Sequence, residues 1–83
     1  MSHIARSPKQ MGNLIQRVRK QHGLTQTELA NMTGLRQELI SKIEGGHEGT
    51  KLSSIYSLFA ALGLELMVDA RQGNPSKDIE DIF

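Results

Sequence analysis

The chain of 83 residues contains no cysteine, so neither a disulfide framework nor a thiolate metal site can be built from it. No apolar run approaches the roughly 20 residues of a membrane-spanning helix. The opening MSHIARSPKQ also lacks the apolar core of a secretory signal. Aromatic residues make up only 4% of the chain, against 37% hydrophobic and 23% charged. That is the balance of a soluble globular chain, long enough for one modest core and too short to add a second, ligand-sensing domain. A cytoplasmic location fits these absences.

Catalytic groups are also missing. His3, His22 and His47 are scattered without metal-ligand spacing, and His47-Glu48 is not followed by the second histidine of a zinc-protease helix. The stretch GGHEGTK resembles a phosphate loop at a glance, but it lacks the Gly-Lys-Ser/Thr order and no strand precedes it. It reads as a corner between helices, with Lys51 near phosphate at most. No paired nucleophile and base can be assembled. The chain is expected to be no enzyme and to need no cofactor or metal.

What is present is charge of unequal placement and a succession of short helices. The net charge of +1 conceals an excess of +3 over residues 1–50 and of −2 over residues 51–83. A basic front suits a partner rich in phosphate. Ser7-Pro8-Lys9-Gln10 reads as a helix start, with Ser as N-cap, Pro at the first helical position and Gln completing a capping box. Met11, Leu14, Ile15 and Val18 then follow a 3.6-residue period up to Gly23. Gly12 inside that stripe costs about 1 kcal/mol relative to Ala, which implies close packing there. Thr25-Gln26-Thr27-Glu28 is a second capping box, opening a helix that should turn Leu29, Ala30 and Met32 inward and end at Gly34. Leu35, Leu39, Ile40 and Ile43 form a third stripe closing at Gly45-Gly46, and a fourth segment, from about Lys51, should bury Leu52, Ile55, Leu58, Phe59 and Leu62.

The period then changes. Leu64-Glu65-Leu66-Met67-Val68-Asp69-Ala70 alternates as a strand does. A lone strand leaves its backbone N–H and C=O groups unpaired, and the simplest remedy is the same strand of a second copy across a two-fold axis. Leu64, Leu66 and Val68 would line one side of that dimer contact. Gln72 onward, QGNPSKDIEDIF, reads as a flexible acidic tail.

Two short helices joined by a tight glycine turn describe a helix-turn-helix. Ala30 is small where the helices would cross, Gly34 suits a left-handed turn position, and Leu29, Leu35, Ile40 and Ile43 would lock the pair to the core. Leu24-Thr25-Gln26, Glu28-Leu29-Ala30, Gly34-Leu35, Ile40-Ser41 and Ile43-Glu44 together resemble the text of the Xre/Cro-like helix-turn-helix regulators. The resemblance covers roughly residues 8–63. The SPKQ start, and a fourth helix running straight into strand and acidic tail, look like the HipB-type antitoxins within that group.

The resemblance implies an all-α, lambda-repressor-like bundle of four helices plus one C-terminal strand that pairs between protomers. Residues 1–7 would be an N-terminal arm, 8–63 the DNA-binding domain, 64–71 the dimerisation strand and 72–83 the tail. It implies a homodimeric repressor of double-stranded operator DNA, autoregulating its operon and neutralising a HipA-type Ser/Thr kinase toxin. The location would be the bacterial cytoplasm, at the nucleoid when bound. The alternative is a stand-alone Xre or phage-type regulator without a toxin.

By position, the resemblance places Gln26 on DNA phosphate, with Thr27 beside it, and makes the third helix the one that enters the major groove. Its outward residues would be Arg36, Gln37, Glu38, Ser41 and Lys42. The chemistry agrees: Gln37 can pair bidentately with adenine, Arg36 with guanine, and Ser41 with a base or phosphate. Lys42 suits phosphate, which sets affinity rather than sequence. Glu38 could accept from cytosine, repel phosphate, or simply favour the helix N-terminus. Arg36 stands where the family commonly has a Ser or Thr cap, a loss of about 1 kcal/mol. The family often joins the positions of Arg19 and Glu44 in a partly buried ion pair. In the tail, Ile82 and Phe83 are the candidate anchors for a toxin.

Overall fold

The computed structural model describes residues 3–71. Within them run four helices: α1 (Pro8–Gln21), α2 (Gln26–Thr33), α3 (Gln37–Glu44) and α4 (Leu52–Leu62). Helix α1 starts as its sequence dictates. Ser7 is extended, its hydroxyl accepts the Gln10 N–H at 3.1 Å, and Pro8 takes the position where no N–H is needed. The capping box is only half formed, because the Gln10 side chain accepts from the N–H of Arg6 instead of Ser7. That bond ties down the arm before the helix.

The stripes converge on one core. Ile15 and Val18 of α1, Leu29 of α2, Ile40 and Ile43 of α3, and Ile55, Leu58, Phe59 and Leu62 of α4 are all buried. Each contributes about 1.5–3 kcal/mol by leaving water. A small domain has only about 5–15 kcal/mol of net stability, so no single one is dispensable. Helices α1 and α2 each pack on both α3 and α4.

Two residues read as core are not. Met32 is 55% exposed and Leu52 58%. At roughly 100° per residue, Thr33 and Gln26 lie on the inward side of Leu29 in α2, while Met32 lies on its outward side. Thr33, not Met32, therefore occupies the inner face, with its hydroxyl donating to the Leu29 carbonyl at 2.9 Å. Leu52 opens α4 beside the half-exposed Tyr56, at the edge of the face that Ile55, Leu58 and Phe59 bury.

Gly12 does mark a close approach. A Cβ built there would lie 2.3 Å from the Ile43 carbonyl oxygen and 2.7 Å from that of Glu44. Helix α1 thus rests directly on the backbone at the end of α3.

Beyond α4, Leu64 packs against the core. Residues 65–71 are exposed and form neither helix nor strand, with Leu66, Met67 and Val68 at 41%, 82% and 94% exposure. The strand expected from Leu64 to Ala70 is not formed within one chain, since a ladder needs a second edge and α4 offers none. The tail, with Ile82 and Phe83, lies outside the described residues.

Candidate nucleic-acid interface

Helices α2 and α3 are joined by Gly34, Leu35 and Arg36. Gly34 sits at φ 76°, a left-handed conformation that a side chain would oppose. Thr33 closes the turn from within, its hydroxyl accepting the Leu35 N–H at 3.2 Å. At the other end of α2 the capping box is complete: Thr25 Oγ1 accepts from Glu28 N–H, and Glu28 Oε1 accepts from Thr25 N–H, each at 3.0 Å. Hydrogen bonds from the Thr25 backbone first, and its side chain second, hold the Glu28 carboxyl below the usual carboxylate range.

Helix α3 begins at Arg36 with no side-chain cap. Its buried side carries Ile40, Ile43 and Glu44. Arg36, Gln37, Glu38, Ser41 and Lys42 are all exposed, and at roughly 100° per residue the last four share one arc opposite the core. Thr27 is exposed in the first turn of α2, and Lys51 is exposed where α4 begins. Arg36, Gln37 and Ser41 offer hydrogen-bonding groups that fit base edges, while Lys42 offers a mobile cation.

Behind this arc lies a buried ion pair. Arg19, 7% exposed, donates from Nε to Glu44 Oε2 at 2.7 Å and from Nη2 to Oε1 at 3.0 Å; Glu44 itself is 6% exposed. The third nitrogen, Nη1, donates to the Leu24 carbonyl at 2.7 Å. The hydrogen bond to Glu44 raises the Arg19 pKa against the opposing effect of burial, and the charge of Glu44 adds to it. One guanidinium thereby fixes the end of α1, the loop before α2 and the end of α3.

Gln26 makes bonds within the protein that the sequence did not suggest. It is half-buried, and its Nε2 donates to Glu44 Oε1 at 3.1 Å while its Oε1 accepts from Gln37 Nε2 at 3.4 Å. Sequence reasoning missed this link, although the three-residue spacing from Gln26 to the inward Leu29 was the available signal.

Comparison with known proteins gives this arrangement its family. A helix-turn-helix family model matches residues 15–67, from within α1 to beyond α4. Antitoxin HipB of Escherichia coli strain K12 is 36% identical over 70 residues, covering 83% of this chain and 80% of that one. The chain belongs to the HipB family of helix-turn-helix proteins. Among solved structures, HipB in a complex with an O4 20mer matches this HipB-family chain with a TM-score of 0.77 at 34% identity, over 84% of this chain and 100% of that one. HipB in a HipA-HipB-O2-O3 complex gives 0.79 at 31% identity, over 86% of this chain and 100% of that one.

Proposed function

We propose that this chain is a sequence-specific DNA-binding repressor that acts in the bacterial cytoplasm as the antitoxin of a HipA-type Ser/Thr kinase and represses its own operon. The observation that carries the reading is the single exposed arc of α3, Gln37, Glu38, Ser41 and Lys42 with Arg36 before it, held on a rigid base by the Arg19–Glu44 pair. Its relatives' complexes with 20mers and with HipA support the same reading.

In this reading residues 1–7 are an arm, 8–63 bind DNA, 64–71 pair as a strand between two protomers, and 72–83 form a tail for the toxin. Gln37 reads adenine, Arg36 guanine, and Ser41 a base or phosphate. Thr27, Gln26, Lys42 and Lys51 lie toward the backbone. Leu64, Leu66 and Val68 line the dimer contact, and Ile82 and Phe83 anchor the tail on the kinase.

The test compares two variants on two DNAs, the duplex upstream of the chain's own gene and a random duplex. Gln37→Ala should cost about 1–3 kcal/mol on the former and little on the latter. Lys42→Ala should weaken both together and reduce the salt slope by about one. Identical behaviour of the two variants would reject these roles. Kinase inhibition by the purified chain tests the antitoxin half. DNA binding without inhibition of any HipA-type kinase encoded beside it would leave a stand-alone regulator.

A further inference from the structure

Residues 1–27 carry Arg6, Lys9, Arg17, Arg19 and Lys20 and no acid. Among the described residues the one ion pair is Arg19–Glu44, which leaves the other four cations exposed and unpaired there. Arg17 lies roughly 140° round α1 from Gly12, the residue that rests on α3. It therefore faces away from α3, and from a duplex laid along the outer arc of α3. A second feature shares this face. Gln10, Asn13, Leu14 and Arg17, at i, i+3, i+4 and i+7, form one strip of α1. The arm is tied back by the bond from the Arg6 N–H to Gln10 and brings His3 and Ile4 beside that strip. These six residues line an open groove of about 440 Å³. Ile4, 72% exposed, and the half-buried Leu14 supply its apolar part, and Arg17 supplies a cation.

A groove of this make-up suits a segment that sets apolar side chains between carboxylates. The chain has such a segment in Asp78-Ile79-Glu80-Asp81-Ile82-Phe83. We propose that the groove between the arm and α1 is a docking site for residues 78–83 of the same chain. Ile82 and Phe83 cover Ile4 and Leu14, and the carboxylates face Arg17. Reach allows it: from Arg71, the stretch 72–83 extends at most about 40 Å, and the longest dimension of the molecule is 44 Å. The attraction has two parts, apolar surface leaving water and opposite charges at an exposed site, and added salt weakens the second. A tail held in this groove keeps Ile82 and Phe83 from a toxin until the toxin displaces it. The docking itself does not rest on the toxin reading, and its test contains no kinase.

Because the chain has no cysteine, a nitroxide attached at Ser76→Cys in the full chain labels the tail and nothing else. The readout is the loss of amide NMR intensity between the oxidised and the reduced label. Ile4, Asn13, Leu14 and Arg17 should lose most of their intensity, while Gln37 and Ser41 on the outer arc of α3 keep theirs. Arg17→Glu and Ile4→Ser change exposed side chains outside the core, so both variants should fold, and each should reduce the loss at Asn13 and Leu14. Arg17→Glu combined with Asp78→Lys and Asp81→Lys reverses the charges on both sides and should bring the loss back. Raising the salt concentration should reduce it in the unaltered chain. Intensity lost evenly over the surface, or a loss at α1 that neither Arg17→Glu nor Ile4→Ser changes, overturns the proposal. So does a loss that vanishes when spin-labelled chains are diluted with unlabelled ones, since the tail would then be seated on a second copy.

Discussion

At the scale of single residues, Arg19 has more resting on it than its charge suggests, because all three of its nitrogens are engaged and the residue is 7% exposed. Removing one member of a buried pair leaves the other charged and unsolvated, at a cost of about 3–5 kcal/mol. Arg19→Ala should therefore lower the urea midpoint of unfolding by a large fraction of the chain's stability. The DNA affinity of the molecules that remain folded should fall by less. An unchanged midpoint with lost DNA binding would make Arg19 a phosphate contact instead. The partnership of Arg19 with Glu44 was legible through family resemblance. The direction of Gln26 was not, because it depends on where α2 crosses α3, and no local pattern reports a crossing. Arg36, Gln37, Glu38, Ser41 and Lys42 were legible as outward residues because a helix with Ile40 and Ile43 inward leaves them nowhere else to go.

Among the elements, caps and glycine stops placed the helix ends well, since Ser7, Thr25 and Gly34 act through bonds within a few residues of themselves. Stripe membership was less secure. In a helix of eight residues such as α2, one turn decides which side faces the core, and Met32 falls just outside that side; Leu52 stands at the first position of α4, at the edge of its buried face. The contact of α1 with α3 allows a prediction at this scale. On helix propensity alone, Gly12→Ala should stabilise α1 by about 1 kcal/mol. The backbone carbonyls of Ile43 and Glu44 stand where the new methyl would go, and backbone cannot swing aside as a long side chain can. Overpacking of this kind costs about 1–3 kcal/mol, so the net expectation is a lower melting temperature. Because α3 must shift to admit the methyl, specific DNA affinity should fall further than the random-DNA affinity. A stabilised variant with full specificity would show that the two helices are held elsewhere.

For the whole molecule, the exposed run Leu66, Met67 and Val68 is the part of the described chain least able to stand by itself. If two copies pair there, sedimentation at micromolar concentration should show a dimer, and Leu66→Pro, which removes a donor and fixes φ, should give a folded monomer. A dimer that survives the proline would move the interface to another surface. The proposed tail contact is separable from it. Deleting residues 73–83 should leave DNA affinity unchanged and weaken binding to the kinase, by about 2 kcal/mol or more if Phe83 is a buried anchor. Equal kinase binding before and after the deletion would remove the tail from the interface. Both proposals come from the same sequence signal, apolar residues that follow the last of the four helical stripes.

The shelter of the Arg19–Glu44 fork has a consequence for how the molecule meets a changing ionic environment. Dissolved salt screens charges that face solvent, over a Debye length of about 8–10 Å, but hardly touches a pair shut away from water. Lys42 and Lys51 face solvent; Arg19 and Glu44 do not. Raising the ionic strength should therefore loosen the grip on DNA while leaving the seat of α3 against α1 nearly as it was. Grip and framework would then answer to different physical controls, one set by the medium and the other sealed inside the protein.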